Sequence, residues 1–393
     1  MEESENTKLL DDAYTNSLLL KKLATRIKIE KPLKIAFLDI DSTLTGDEKI
    51  IEQTRTRFKK MDYQLTFVTA RTEEMVMSKK EYEKSLQLGF LRPKPFIEKK
   101  DNKYTYKDPA KINQNLVNPD IIIGSTGTQI LVKQENGGYM LDRSFEKKFG
   151  ISSIVWRKKT REIISLADPQ KLAKFAIFES KEAYENHIAD IYPPKYRIKL
   201  LFSSVKDKKN FILHLKKIIA TSEATNKMSR FVSSGIRIID ESHTKHNKFA
   251  IYLTPALGNK GNAVNHVVQK LCEKLEKYAI FAKDLQVILA GDSYPDLAML
   301  FYGAKGTNAT AILVGGSRLA NILINKEIDE YAGEDLSIFK DNMQKHKEKI
   351  GYFHFGKLIK ENYQRNIVIG DLAYPNTKGP ATILAYLNQT TKN

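Results

Sequence analysis

Asp39 and Asp41 stand two residues apart, directly after the apolar run Ile35, Ala36, Phe37 and Leu38. At the end of a strand, residues i and i+2 leave the sheet on the same side. Two carboxylates placed in that way can divide one reaction between them. The first can attack a phosphorus atom as a nucleophile. The second can give a proton to the departing oxygen and later take one from water. Thr43 follows closely enough to fix the turn. Acids after a strand also serve as helix caps and turn formers, so the pair alone leaves both readings open.

Three further segments offer matching chemistry. Thr69, Ala70 and Arg71 close the run Leu65 to Val68, where a hydroxyl and backbone N–H groups at a strand-to-helix junction suit a phosphate oxygen. The competing reading is a plain N-cap. Lys260 opens an amphipathic stretch, although a lysine gains nothing from the dipole at a helix start. It sits better beside an anion or a carboxylate, and otherwise it is a solvated surface lysine. Gly291, Asp292, Ser293, Tyr294, Pro295 and Asp296 follow an apolar run and bring a second pair of carboxylates. Strand-end acids are what magnesium takes, oxygen ligands with water and substrate phosphate completing its shell. The bland alternative is that Asp292 and Asp296 cap a helix. Jointly the four segments supply a nucleophile, an acid/base, a phosphate donor, a cation and a metal site. That set is complete for phosphoryl transfer, where catalysis is mostly positioning and neutralisation of charge.

The surrounding pattern predicts an α/β fold with a doubly wound, Rossmann-like parallel sheet. Residues 34–39, 65–69 and 120–124 read as buried parallel strands, with helices around 49–61 and 73–88 between them. Residues 129–133 and 139–141 read as a hairpin turned at Glu135, Asn136, Gly137 and Gly138. From about 145 to 250 the runs 175–179, 197–203 and 231–239 alternate with helical stretches such as 208–220, which predicts a separate α+β unit. Parallel-sheet patterning then returns at 251–255, 286–290 and 311–315. A helix from 259 carries the apolar stripe Ala263, Val264, Val267, Val268, Leu271, Cys272 and Leu275. Residues 366–370 read as a strand and 380–387 as a closing helix. The predicted organisation is an N-terminal extension over 1–31, helical around Leu18, Leu19 and Leu23, then a core over 32–144 with a surface insertion at 91–119. An inserted unit over 145–250 follows, and the core resumes over 251–393 with a C-terminal extension.

The chain has 393 residues, more than one hydrophobic core usually serves. Its 41% hydrophobic and 28% charged residues are an ordinary globular composition. No apolar run approaches the about 18 residues of a membrane span, and Leu18 to Leu20 is cut short by Lys21 and Lys22 without a cleavage pattern for a signal peptide. Cys272 is the only cysteine, which excludes an intramolecular disulfide and fits a reducing cytoplasm. The formal net charge of +17 favours anions. The lysines are scattered without a basic stripe, so nucleic acid is not an expected partner.

The four segments resemble the four motifs of the haloacid dehalogenase superfamily of phosphohydrolases. The resemblance extends to the branch with a C2-type cap between the second and third motifs, that of sucrose-phosphate phosphatase and related sugar-phosphate phosphatases. Residues 119–130, with their Gly-Thr turn, resemble that branch's third core strand. Phe145, Glu146, Lys147 and Lys148 resemble the entry to its cap, and residues 196–202 a cap strand with a substrate-facing lysine. Residues 253–263 resemble the return to the core. The resemblance covers about residues 33–320. It implies Asp39 as nucleophile and metal ligand, and Asp41 as general acid/base that also completes the shell of a Mg2+ ion through its backbone carbonyl. Thr69, with Ala70 and Arg71, would bind the transferring phosphoryl group, and Lys260 would neutralise it. Asp292 would be a metal ligand, and Asp296 would reach the metal through water or hold Lys260. Lys199 would contact the leaving group. The implied substrate is a phosphorylated small molecule, a sugar phosphate. A phosphotransferase, a phosphoprotein phosphatase and an inactive nucleic-acid or membrane-surface binder are the alternatives. Tyr294 and Pro295 stand where the family often has Gly-Asn, and Ala70 where Gly is usual.

Overall fold

The computed structural model describes residues 12–27, 32–71, 76–91, 98–100, 103–105, 119–170, 173–176, 196–224, 236–240, 249–317, 319–321, 352–354 and 366–390. They fall into two compact units. The second unit runs from Phe145 to Asn259, and the first takes the described residues before and after it.

Along the chain the first unit opens with β1 (Leu33–Leu38), β2 (Gln64–Val68), the small hairpin of β3 (Glu98–Lys100) and β4 (Lys103–Thr105), β5 (Ile121–Gly124), β6 (Gln129–Lys133) and β7 (Tyr139–Leu141). The second unit holds β8 (Lys174–Ala176), β9 (Ile198–Phe202), β10 (Ile236–Asp240) and β11 (Phe249–Pro255). The first unit resumes with β12 (Leu285–Gly291), β13 (Asn308–Leu313), β14 (Tyr352–His354) and β15 (Asn366–Ile369). Its nine-stranded sheet has the order β14-β15-β13-β12-β1-β2-β5-β6-β7. The six strands from β15 to β5 are parallel, and antiparallel β14 and the β6-β7 hairpin finish the edges.

Helices cover both faces, which is why the central strands read as unbroken apolar runs. On one face Ala36, Leu38, Ile288, Ala290 and Ile312 share a core with Phe58 of the helix Glu48–Lys60 and with Ile383 and Leu387 of the helix Pro380–Gln389. The helices Leu18–Ile27 and Lys260–Leu275 pack on β1 and β5 and on each other. The expected doubly wound α/β sheet is therefore the fold of this unit. Strand β1 has β2 on one side and β12 on the other, so the winding reverses between β1 and β12. The crevice outside the carboxyl ends at such a switch point is where open α/β sheets bind ligands.

The helix Lys260–Leu275 is held from two sides. Lys274 pairs with Asp12, Leu19 and Leu23 are buried beneath the N-terminal helix, and Gln134 Nε2 donates to the Ala13 carbonyl at 2.8 Å. His266 Nε2 lies 2.8 Å from Asp142 Oδ2, both groups buried. Close helix packing also explains Gly261. A Cβ there would stand 2.3 Å from the Ala298 carbonyl oxygen and 2.8 Å from Tyr302 Cε2. In an open helix Gly→Ala stabilises by about 0.5–1 kcal/mol. Here Gly261→Ala is expected to destabilise by about 1–3 kcal/mol, the usual cost of overpacking. Urea unfolding checks the sign, and a raised midpoint would contradict this packing.

In the second unit β10-β11-β9-β8 form one antiparallel sheet. This corrects the parallel-sheet reading of 251–255. Those residues lie inside β11, which pairs with β9 and β10 and leaves the large sheet to resume at β12. Two stretches of the sequence reading fall largely outside the described residues: the insertion at 91–119, of which only the β3-β4 hairpin and a few flanking residues are described, and the greater part of 322–365.

Candidate active site

Residues 39–45 leave β1 in a tight turn. Asp39 N donates to the Ala290 carbonyl at 2.9 Å, so the chain stays bonded to β12 one residue beyond the strand. Ser42 then adopts a left-handed conformation (φ 59°). Its N–H donates to Thr45 Oγ1 at 2.8 Å, and Leu44 N donates to the Ile40 carbonyl at 2.9 Å. These bonds aim the Asp39 carboxylate inward, where it is buried. The Thr43 hydroxyl donates to Asp39 Oδ2 at 3.3 Å.

Lys260 meets it from the first turn of its helix. Nζ donates to Asp39 Oδ1 at 2.6 Å and to Asp296 Oδ1 at 2.5 Å, and the lysine side chain is 1% exposed. Burial by itself would lower the lysine pKa, but the Asp296 and Asp39 carboxylates outweigh that and raise it, so the ammonium stays charged. Asp39 is pushed up to about 7 by burial first and by the Asp296 charge second, with Lys260 opposing both. Asp292 is raised well above the ordinary carboxylate range by burial and by Asp39 and Asp296.

Asp296 is fully buried and its oxygens are occupied. Oδ1 takes Lys260, while Oδ2 accepts from Asp292 N at 3.1 Å, Ser293 N at 3.0 Å and Ser293 Oγ at 2.8 Å. Gly291 leaves room for this, since a Cβ there would lie 2.5 Å from Asp296 Cβ. The sequence reading places Ser293 and Gly291 in the fourth segment without giving either a role. The glycine before the acid was the available signal.

Asp39, Asp292 and Asp296 each offer one oxygen within 4.8 Å of the other two. Hard carboxylate donors crowded together, with two of the three pKa values raised, fit a divalent cation that takes oxygen ligands. Asp39 and Asp292 would hold it directly. Asp296, with its lone pairs already committed, would act through water or by holding Lys260.

The other predicted residues divide. Asp41 projects outward, its side chain 55% exposed, and Arg71 grips it with both arms of the guanidinium: Nε donates to Oδ2 at 3.0 Å and Nη2 to Oδ1. The Asp41 carboxylate is not part of the acid cluster. Thr69 is buried at the end of β2, where its N–H donates to the Ile123 carbonyl at 2.8 Å and its Oγ1 accepts from Arg71 N at 3.1 Å. This bond draws Arg71 toward Asp41, and among the described residues no helix begins here that Thr69 would cap. Ala70 lies between them. Lys199 belongs to the second unit, on β9, where Nζ donates to Tyr252 Oη at 3.2 Å.

No family model matches the chain, and no curated protein matches it. Among solved structures, it is similar to a sucrose-phosphatase from Synechocystis sp. in complex with sucrose and phosphate, at 13% identity over 91% of this chain and 98% of that one, with a TM-score of 0.45. It is similar to a haloacid dehalogenase-like hydrolase from Bacillus subtilis at 15% identity over 79% of this chain and 99% of that one, TM-score 0.38. A phosphatase of the haloalkanoate (HAD) enzyme superfamily from Bacteroides thetaiotaomicron matches at 12% identity over 71% of this chain and 84% of that one, TM-score 0.38.

Proposed function

We propose that this chain is a magnesium-dependent phosphomonoester hydrolase of the haloacid dehalogenase type, acting through a phospho-aspartate on Asp39, with a sugar phosphate as substrate. The observation that carries the reading is Lys260 Nζ bonded at once to Asp39 and Asp296, with Asp292 completing the acid cluster. A buried lysine shared by two carboxylates leaves a positive centre beside a nucleophilic oxygen, at the switch point of a parallel sheet.

The steps follow from the side chains. An Asp39 oxygen bonds to phosphorus while the bond from phosphorus to the leaving oxygen breaks. Asp41 passes its proton to that oxygen. Water then attacks phosphorus, Asp41 takes the proton of that water, and the bond to Asp39 breaks to release phosphate. Thr69 Oγ1 and the backbone around Ala70 hold the phosphoryl oxygens, and Lys260 neutralises them. The Arg71 fork must open before Asp41 can serve the leaving oxygen, and the incoming phosphoryl group gives the guanidinium a second partner. Asp39 and Asp292, with the Asp41 carbonyl, would hold magnesium, which would supply positive charge to offset that of the carboxylate and the phosphoryl group.

Removing the metal is the direct test. With EDTA in excess, release of p-nitrophenol from p-nitrophenyl phosphate is expected to stop, and added Mg2+ to restore it. An undiminished rate after dialysis against chelator would end the magnesium reading. The lone thiol and the absence, among the described residues, of any helix long and apolar enough to cross a membrane are compatible with a cytoplasmic setting.

A further inference from the structure

The turn that carries Asp39 and Asp41 is held by the residues just after it and by a segment from the far end of the chain. Ser42 N donates to Thr45 Oγ1 at 2.8 Å. A trans peptide is planar, so this bond also fixes the Asp41 carbonyl, on the other side of the same plane, pointing away from Thr45. Behind the turn stands Gly379, which is buried and left-handed (φ 52°) and leads into the helix Pro380–Gln389. A Cβ at Gly379 would lie 2.9 Å from the Ser42 carbonyl oxygen, 3.6 Å from that of Thr45 and 3.7 Å from that of Thr43.

This segment is clamped. Gly379 N donates to the Gly315 carbonyl at 3.3 Å and Gly315 N donates to Thr382 Oγ1 at 3.0 Å, which ties it to the chain leaving β13. Thr54 Oγ1 donates to the Pro380 carbonyl at 3.3 Å. Ile383 and Leu387 share a core with Ile40, Leu44, Ile51 and Phe58. An atom added at Gly379 would therefore displace the carbonyls of the turn rather than the segment behind it.

We propose that Gly379 and Thr45 are positioning residues for the catalytic turn: together they set the direction of the Asp41 carbonyl, and with it the affinity for the divalent cation. The C-terminal segment is then a working part of the site. The inference rests on the phosphatase reading for the role of that carbonyl, and every residue in it belongs to the first unit.

Mg2+ binding to the full-length wild type and its variants, measured by calorimetry without substrate, tests it apart from turnover. Gly379→Ala is expected to weaken Mg2+ binding about tenfold or more, the scale on which groups that orient a metal ligand act. Thr45→Val should do the same with little loss of stability, because the exposed Ser42 N–H can turn to water. Thr45→Ser, which keeps the hydroxyl, should bind as the wild type does. Gly138→Ala controls for backbone strain. Gly138 is also left-handed (φ 79°), and a Cβ there would lie 3.2 Å from Ser85 Cα, but it sits in the hairpin at the far edge of the sheet. That variant should lower the melting temperature as Gly379→Ala does and leave Mg2+ affinity within twofold. If Gly379→Ala does not fold, the Thr45 pair decides. Release of p-nitrophenol from p-nitrophenyl phosphate is read separately: an inactive wild type that keeps the Mg2+ contrast would count against the phosphatase reading alone. Wild-type Mg2+ affinity in Gly379→Ala or Thr45→Val, an equal loss in Gly138→Ala, or no Mg2+ binding by the wild type would overturn the proposal.

Discussion

Asp39→Asn is expected to lower phosphate release from p-nitrophenyl phosphate by at least about a thousandfold, the scale seen when a covalent nucleophile is removed. That factor corresponds to about 4 kcal/mol of transition-state stabilisation. The amide keeps the size of the carboxylate and an oxygen to accept from Lys260, but it cannot form a hydrolysable bond to phosphorus. The fold should persist. Asp39 is buried beside Asp296 and Asp292, its pKa raised to about 7 by burial and the Asp296 charge. A neutral group there relieves repulsion, so the metal-free variant should unfold at no lower urea concentration than the wild type. Acid quenching during turnover should trap phosphate on the wild-type chain and none on the variant. Retention of more than about a tenth of the wild-type rate would remove Asp39 from the nucleophile's role, because a lost nucleophile leaves far less than that.

Much of this was legible in the sequence because short apolar runs that end in acids have few structural solutions. Strands β1, β2, β5 and β12 fall close to where their hydrophobic runs place them, and the hairpin β6-β7 follows from its turn at Gly137 and Gly138. The misplacement of β11 has a physical cause. A strand buried on both faces is apolar throughout, whether it is parallel in a large sheet or central in a small antiparallel one. From Ala250 to Pro255 every residue of β11 is buried, so local pattern could not choose its sheet. Partner choice between side chains was equally hidden. Nothing within ten residues of Asp41 announces that Arg71, thirty positions on, will occupy both of its oxygens. The same holds for the N-terminal helix, whose Lys22 reaches Asp120 at 2.6 Å and whose Lys21 reaches Glu135 at 2.6 Å. The periodicity of Leu18, Leu19 and Leu23 gives that segment as a helical extension but not its partners.

Lys260→Met is expected to damage stability and activity together, in a way that metal can partly repair. Methionine fills nearly the same space, so what disappears is one charge and two hydrogen bonds. Asp39 and Asp296 would then face each other, with Asp292 nearby, and no cation between them. Breaking a buried pair from one side costs about 3–5 kcal/mol, because the remaining charge is left uncompensated. The carboxylates can escape by taking up protons or by binding a cation. Unfolding of the variant should therefore shift upward with added Mg2+ more steeply than that of the wild type, where Lys260 already neutralises the cluster. Metal cannot stand where Nζ stood and also meet the transferring phosphoryl group, so activity should stay down by about a hundredfold or more even at saturating Mg2+, the usual scale for a lost charge-stabilising donor. Lys260→Arg should not rescue it, since a planar fork does not fit a socket shaped for one nitrogen between two oxygens 2.5 and 2.6 Å away. The measurement is a pair of Mg2+ titrations, one following the urea midpoint and one the initial rate. If both parameters of Lys260→Met stay within twofold of wild type, the lysine is a spectator and the buried triad does not carry the chemistry.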